Sequence, residues 1–199
     1  MDFQEVVRRR KMVRSFLDQP LPEGALDRIL ANAQRAPSAG FSQGWAFVVL
    51  EGRDQTARFW NAVSDDEWRG GRRGAGLIRA PAIVVPLSHK QAYLDRYGEP
   101  DKDYAGMQDE SAWPVPYWDV DTGFAALLML LTATDLGLGA LFFGIPRREA
   151  ELMRELGVPD GYRPVGAVAI GWPADDVQPS PSLQRGWRPA ADVVHRGEW

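Results

Sequence analysis

"DVDTGFAALLMLLTATDLGLGALFFGI", residues 119–145, runs a long apolar helix through glycine straight into a short apolar strand. The helix is predicted over 119–140, closed by Gly137 or Gly139. It is apolar nearly all round, so it must be buried on every side, within a core or between subunits. "ALFFGI" then reads as a buried strand. Working outward, "AFVVL" (46–50), "APAIVVPL" (80–87) and "PVGAVAIGW" (164–172) are further strand candidates. The prolines of the second suggest a strand that lies near an edge or ends abruptly.

Helices are predicted between these strands. Phe3, Val6 and Val7 share one face near the start, and Leu26, Ile29, Leu30 and Ala33 share another, ended by Pro37. "DQTARFWNAV" (54–63) is a third candidate, and "RREAELMRELG" a fourth, with Pro146 in its first turn and Gly157 at its end. "RGGRRGAG" (69–76) is too rich in glycine for a stable helix interior. Residues 88–118 show no steady period and are expected to form an irregular lid or excursion. Residues 173–199 form a proline-rich C-terminal arm that either hangs free or wraps something. Alternating helices and buried strands imply an α+β or α/β layered fold, and 199 residues suit one domain spanning 1–199. The buried helix and the arm together suggest an intertwined homodimer.

Composition excludes several classes. With no cysteine there is no disulfide, thiolate metal site or cysteine nucleophile, and the two histidines, His89 and His195, have no companion ligands, so no metal is expected. A net charge of −4 argues against nucleic-acid or membrane-surface partners. The longest apolar stretch, Phe124 to Leu131, is too short to span a bilayer, and "MDFQEVVRRRK" is charged from its second residue, so a cytoplasmic location is expected.

Two stretches carry candidate chemistry. Arg8, Arg9, Arg10, Lys11 and Arg14 lie within seven residues of an acidic chain. Such a run is either a solvated helix end or an anion site, and arginine forks match phosphate oxygens. "RAPSAGFSQGWAFVVL" (35–50) crowds Ser38, Phe41, Ser42, Gln43 and Trp45 into one turn. They either pack the chain's own corner or line a site for a flat ligand.

The order of these pieces resembles the nitroreductase family of flavoproteins. "RRRKMVRSF" is similar to its N-terminal R-R-S-V-R-x-F, and "APSAGFSQGW" to its APS-x-x-N-x-Q-P-W. "DLGLGALFFGIP", "PVGAVAIGWP" and "WRPAADVVH" follow in the family's order and cover nearly the whole chain. The resemblance implies a three-layer α/β/α sandwich with a mostly antiparallel central sheet. It also implies an intertwined homodimer with a swapped C-terminal arm and two FMN sites at the subunit interface.

By carry-over, Arg10 and Lys11 would face the phosphate and ribityl end of FMN, with Met12 beside them. Arg14 would approach the pyrimidine edge of the isoalloxazine, where a cation stabilises the reduced ring. Pro37 would free Ser38 and Ala39 to approach the cofactor, with Gln43 supporting the turn. Leu141 to Gly144, including Phe142 and Phe143, would run past the ring with a backbone N–H near N5. Arg188 and Arg185 would reach the phosphate from the arm. Phe41, Trp113, Tyr117, Trp118 and Phe124 are the aromatic candidates for acceptor binding, and each could equally serve core or interface packing.

The implied activity passes hydride from NAD(P)H through flavin N5 to a nitroaromatic, quinone or similar electron-poor acceptor by a ping-pong sequence. It asks for no catalytic acid or nucleophile from the protein. Alternatives are a flavin carrier or sensor without turnover, a dimeric scaffold that has lost the cofactor, and a flavin-fragmenting dimethylbenzimidazole synthase-like enzyme. The departures from the family pattern are Met12 for serine, Phe41 for asparagine and Gly44 for proline. "GFSQ" is similar to the loop of the fragmenting branch, but Met12 stands where that branch carries aspartate. The choice among NADH, NADPH and a deazaflavin donor stays open. Arg72 or Arg73 could supply a mid-chain flavin contact or simple surface solubility.

Overall fold

The computed structural model describes residues 1–72, 74–175 and 180–199. Arg73 and positions 176–179 of the arm lie outside the described residues. One sheet holds β1 (Trp45–Glu51), β2 (Ala82–His89), β3 (Gly139–Phe143), β4 (Tyr162–Pro164) and β5 (Ala167–Gly171). Its order is β1-β2-β5-β3, with β4 also on β2, and every strand pair is antiparallel.

The helices are α1 (Phe3–Arg9), α2 (Ala25–Ala33), α3 (Arg53–Val63), α4 (Asp66–Gly70), α5 (Gly74–Leu77), α6 (Lys90–Tyr97), α7 (Tyr117–Asp135) and α8 (Glu149–Glu155). Strand alternation divides the core in two. Ala82 and Val84 of β2 join Val168 and Ile170 of β5 against α2 and α7. Ile83, Val85 and Leu87 join Ala167 and Ala169 against Phe59 and Trp60 of α3 and Leu152 of α8. The result is the expected three-layer α/β/α sandwich.

Several expectations are corrected. β2 is no edge strand: it pairs with β1 on one side and with β5 and β4 on the other. Its proline is tolerated because β5 pairs only as far as Val84 and β4 begins at Leu87, leaving Pro86 in the gap, where its carbonyl accepts from Val165 N–H at 3.1 Å. The 164–172 stretch is divided between β4 and β5 rather than forming one strand. The glycine-rich run contains the four-residue α5, whose Gly76 carbonyl accepts from Phe16 N–H at 3.1 Å. α2 ends at Ala33, ahead of Pro37.

The 88–118 stretch is a built element rather than an irregular one. It finishes β2, forms α6 and adds two 3₁₀ turns, Asp103–Ala105 and Glu110–Ala112. Tyr93, Trp113 and Trp118 meet edge to face in a small core of its own. α7 starts at Tyr117, and Gly137 follows its end at φ +76°. The chain covers one side of α7 through Ala125, Ala126, Met129 and Ala133, while Phe124 and Leu127 stay 43% and 45% exposed. A helix expected to be buried all round therefore keeps an apolar stripe open in the single chain. Among the described residues no helix is long and apolar enough to cross a membrane, and no group of three or more His, Cys, Asp or Glu is placed to hold a metal.

Candidate functional site

The basic run leaves α1 at Arg10 and continues as an extended segment along β3. A parallel bridge joins Met12 to Ala140, Val13 N–H donates to the Ala140 carbonyl at 3.0 Å, and Leu17 N–H donates to the Trp172 carbonyl at 2.9 Å. Val13 and Phe16 turn inward and are buried, which leaves Lys11 and Arg14 exposed and Arg10 half-buried. Met12 packs its thioether against the core, so no hydroxyl stands at that position.

Most other arginines of the first half are paired, as in Arg9–Glu5, Arg28–Asp135 and Arg58–Glu155. Among the described residues Arg10, Lys11 and Arg14 have no carboxylate partner; the one hydrogen bond of the Arg14 fork goes to the Met12 carbonyl at 3.2 Å. Three neighbouring cations without counter-charge are costly unless solvent or an anion screens them. Beyond β3, the Gly144 backbone faces open space, where even an added Cβ would meet nothing within 4 Å. Cations without a carboxylate partner among the described residues, on a fixed strand edge, suit an anionic group.

The turn after α2 is built with equal care. Asp121, buried in α7, accepts from the Ala39 N–H at 2.8 Å and from the Tyr93 hydroxyl at 2.9 Å through one oxygen, Oδ2. Burial and this carboxylate push the Tyr93 phenol well above its ordinary range. Ser38 Oγ accepts from Gln43 N–H at 3.1 Å, and Gln43 passes its carbonyl to Trp45 N–H at 2.8 Å. The Tyr93 ring lies on Gly44, where a Cβ would come within 2.5 Å of it, so proline has no room at this position. Pro37 is exposed at the mouth of the turn.

The other candidates divide. Phe41 is 74% exposed, and Tyr117 and Phe124 are also open. Trp118 is corrected: it is 6% exposed and packs on Tyr93 and Trp113, so it is a core residue with no face for an acceptor. Phe142 and Phe143 point to opposite sides of the sheet. Phe142 joins the α2–α7 core, while Phe143 stacks on Trp60 at 5.7 Å. Only backbone is common to both. Arg185 and Arg188 are exposed; the arm is anchored at its start by Ala174 N–H donating to the Ser15 carbonyl at 3.0 Å, and over 180–199 the hydrogen bonds of the described residues stay within the arm, including Arg188 Nη2 to the Asp192 carbonyl at 2.7 Å. Leu183, Trp187, Val193, Val194 and Trp199 of the arm lie open. Asp121, Tyr93 and Arg96 were not singled out from the sequence; a carboxylate inside an apolar helix was the available signal.

Two clefts of the single chain lie elsewhere, one of about 540 Å³ between α3 and α8 and one of about 220 Å³ near Pro81. A layered antiparallel sheet with a cationic strand edge and an apolar helix left open defines a class of proteins. The chain belongs to the nitroreductase family, whose model matches residues 7–172. It is 26% identical over 193 residues to an Archaeoglobus fulgidus protein named "Putative NADH dehydrogenase/NAD(P)H nitroreductase", covering 96% of this chain and 94% of that one. A Staphylococcus aureus "NADPH-dependent oxidoreductase" is 25% identical over 173 residues, covering 86% of this chain and 64% of its own length. Among solved structures, the NfrA1 nitroreductase of B. subtilis superposes with a TM-score of 0.73 at 19% identity, over 98% of this chain and 74% of that one. A nitroreductase family protein of Clostridium difficile 630 superposes with a TM-score of 0.72 at 19% identity over the whole of both chains.

Proposed function

We propose that the protein is an FMN-dependent oxidoreductase that passes hydride from NAD(P)H to a nitroaromatic, quinone or similar electron-poor acceptor. The observation that carries this reading is the Arg10, Lys11 and Arg14 group, held along β3 with no carboxylate partner among the described residues, in a chain of the nitroreductase family. FMN held there would supply the redox chemistry, hydride transfer between nicotinamide and acceptor.

The chain's own residues bind and orient. Arg10 and Lys11 neutralise the phosphate and hold the ribityl chain. Arg14 sets positive charge at the pyrimidine edge, which favours the reduced ring. The Gly144 backbone lets the ring approach closely because no side chain stands there. Ser38 and Ala39 of the partner subunit close the site, and Arg185 and Arg188 come from the swapped arm. The homodimer is supported by the open stripe of Phe124 and Leu127 on α7 and by the uncovered Leu183 and Trp187 of the arm. Such apolar surface on one chain is the mark of an interface.

The test is the absorption spectrum of the purified protein, before and after anaerobic NADH or NADPH, with its mass in solution. Yellow protein of twice the chain mass that bleaches with the nicotinamide and recovers on adding a quinone is expected. Colourless protein that ignores added FMN ends this reading.

A further inference from the structure

The turn that bears Phe41 is held more firmly than a connector requires. Gly40, Phe41 and Gln43 have φ of +61°, +58° and +50°. For a bulky side chain such as phenylalanine this left-handed backbone is strained, and it persists only where the surroundings fix it. Within the turn, Phe41 N–H donates to the Ser38 carbonyl at 2.9 Å, and Ser42 Oγ donates to the Ala39 carbonyl at 2.7 Å. From outside, Arg96 Nε of α6 donates to the Gly40 carbonyl at 2.9 Å. The Tyr97 ring lies on Gly40, where a Cβ would come within 2.7 Å of it.

Arg96 is itself locked. Its two terminal nitrogens donate to the two Asp101 oxygens at 2.7 Å each, and Nη1 also reaches Glu99 at 3.0 Å. On this pedestal the Phe41 ring stands exposed and pairs with no other ring among the described residues. A rigid, exposed aromatic loses little freedom when a flat ligand stacks on it.

We propose that Phe41 selects the acceptor, favouring flat aromatic oxidants such as quinones and nitroarenes over compact inorganic ones, and that Arg96 is the positioning residue that aims it through the Gly40 carbonyl. This rests on the flavin reading above. A quinone takes a hydride and a solvent proton to become the hydroquinone as NAD(P)H becomes NAD(P)⁺. Two ferricyanide ions instead take one electron each, and the proton of the NAD(P)H hydride passes to solvent as NAD(P)⁺ forms.

The experiment compares FMN-loaded protein with its Phe41→Ala and Arg96→Gln variants. FMN uptake and bleaching by NAD(P)H are recorded first, so that failure there sinks the flavin reading before selection is tested. Menadione is then titrated into oxidised protein without reductant, and kcat/KM is measured with menadione and with ferricyanide. Phe41→Ala is expected to raise the menadione Kd about tenfold, the loss of one good stacking contact with its buried area. It should lower the menadione-to-ferricyanide ratio by a similar factor. Arg96→Gln is expected to lower that ratio too, and to speed amide exchange across residues 38–44 by about tenfold or more. An unchanged menadione Kd in Phe41→Ala, or equal losses with both acceptors, overturns selection by Phe41. A fall to the single-chain mass in Phe41→Ala also overturns it, because the ring then serves the interface. Unchanged exchange in Arg96→Gln removes Arg96 from the device.

Discussion

The Asp121 carboxylate reaches 2.8 Å to the backbone N–H of Ala39, tying the long helix α7 to the turn after α2. The same oxygen accepts from Tyr93, so three elements, α6, α7 and the turn, meet on one buried charge. A carboxylate at that depth is retained only with hydrogen-bond partners that replace its water.

Replacing Asp121 by alanine leaves the Ala39 N–H and the Tyr93 hydroxyl without their acceptor. Hydrogen bonds to a charged group contribute about 1.5–3 kcal/mol each, so a loss of about 3 kcal/mol is expected in urea unfolding. A loss under about 1 kcal/mol shows that this carboxylate does not hold the turn.

Tyr93 links the same site to alkaline pH. Burial first, and the Asp121 bond second, hold its phenol neutral in the folded chain, above its ordinary value of 10.0. Its contribution to stability is therefore complete below pH 10.0 and drains away as the unfolded phenol ionises above it. Unfolding midpoints taken from about pH 9 to about pH 11 should fall more steeply for the unsubstituted protein than for Tyr93→Phe. Parallel slopes would show that Tyr93 is not held neutral.

Gly44 tests the fit of α6 against the turn. A methyl group there meets Tyr93 Cε2 at 2.5 Å and the His89 carbonyl at 2.8 Å. Gly44→Ala should cost about 1–3 kcal/mol, the usual range for overpacking, and should loosen the Tyr93–Trp113 contact seen by near-ultraviolet circular dichroism. A neutral substitution would mean that α6 can shift away.

Arg14 tests the flavin edge. Among the described residues its fork donates only to the Met12 carbonyl, so Arg14→Ala leaves folding nearly unchanged. It should weaken FMN binding about tenfold or lower the flavin potential, read by fluorescence titration and by dye equilibration. If neither changes, Arg14 stands outside the site.

Much of the fold was legible because its strands are short, fully apolar and bounded by glycine or proline, as "AFVVL" and "ALFFGI" are. Pro86 misled because proline normally marks an edge, and nothing local reveals that β5 and β4 leave a gap beside it. α6 escaped because its apolar residues, Tyr93 and Tyr97, serve a satellite core instead of the main one, so no long periodic face appears. Trp118 looked like an aromatic for a ligand; only the packing of Tyr93 and Trp113 around it shows otherwise. The cations of the basic run were evident in the sequence, but that Arg10, Lys11 and Arg14 have no carboxylate partner among the described residues is a tertiary fact.

The extended segment from Met12 to Leu17 has a consequence for the order of folding. Its backbone partners include Ala140, Trp172 and Ala174 from the far part of the chain and Gly76 from the middle, so closing them demands long loops and gives little local reward until the sheet exists. The cationic strand edge is therefore among the last pieces to acquire its geometry. In a refolding experiment, helical signal should return before the ability to quench FMN fluorescence. The ligand then becomes a reporter of the final step, the arrival of the chain's beginning at its end.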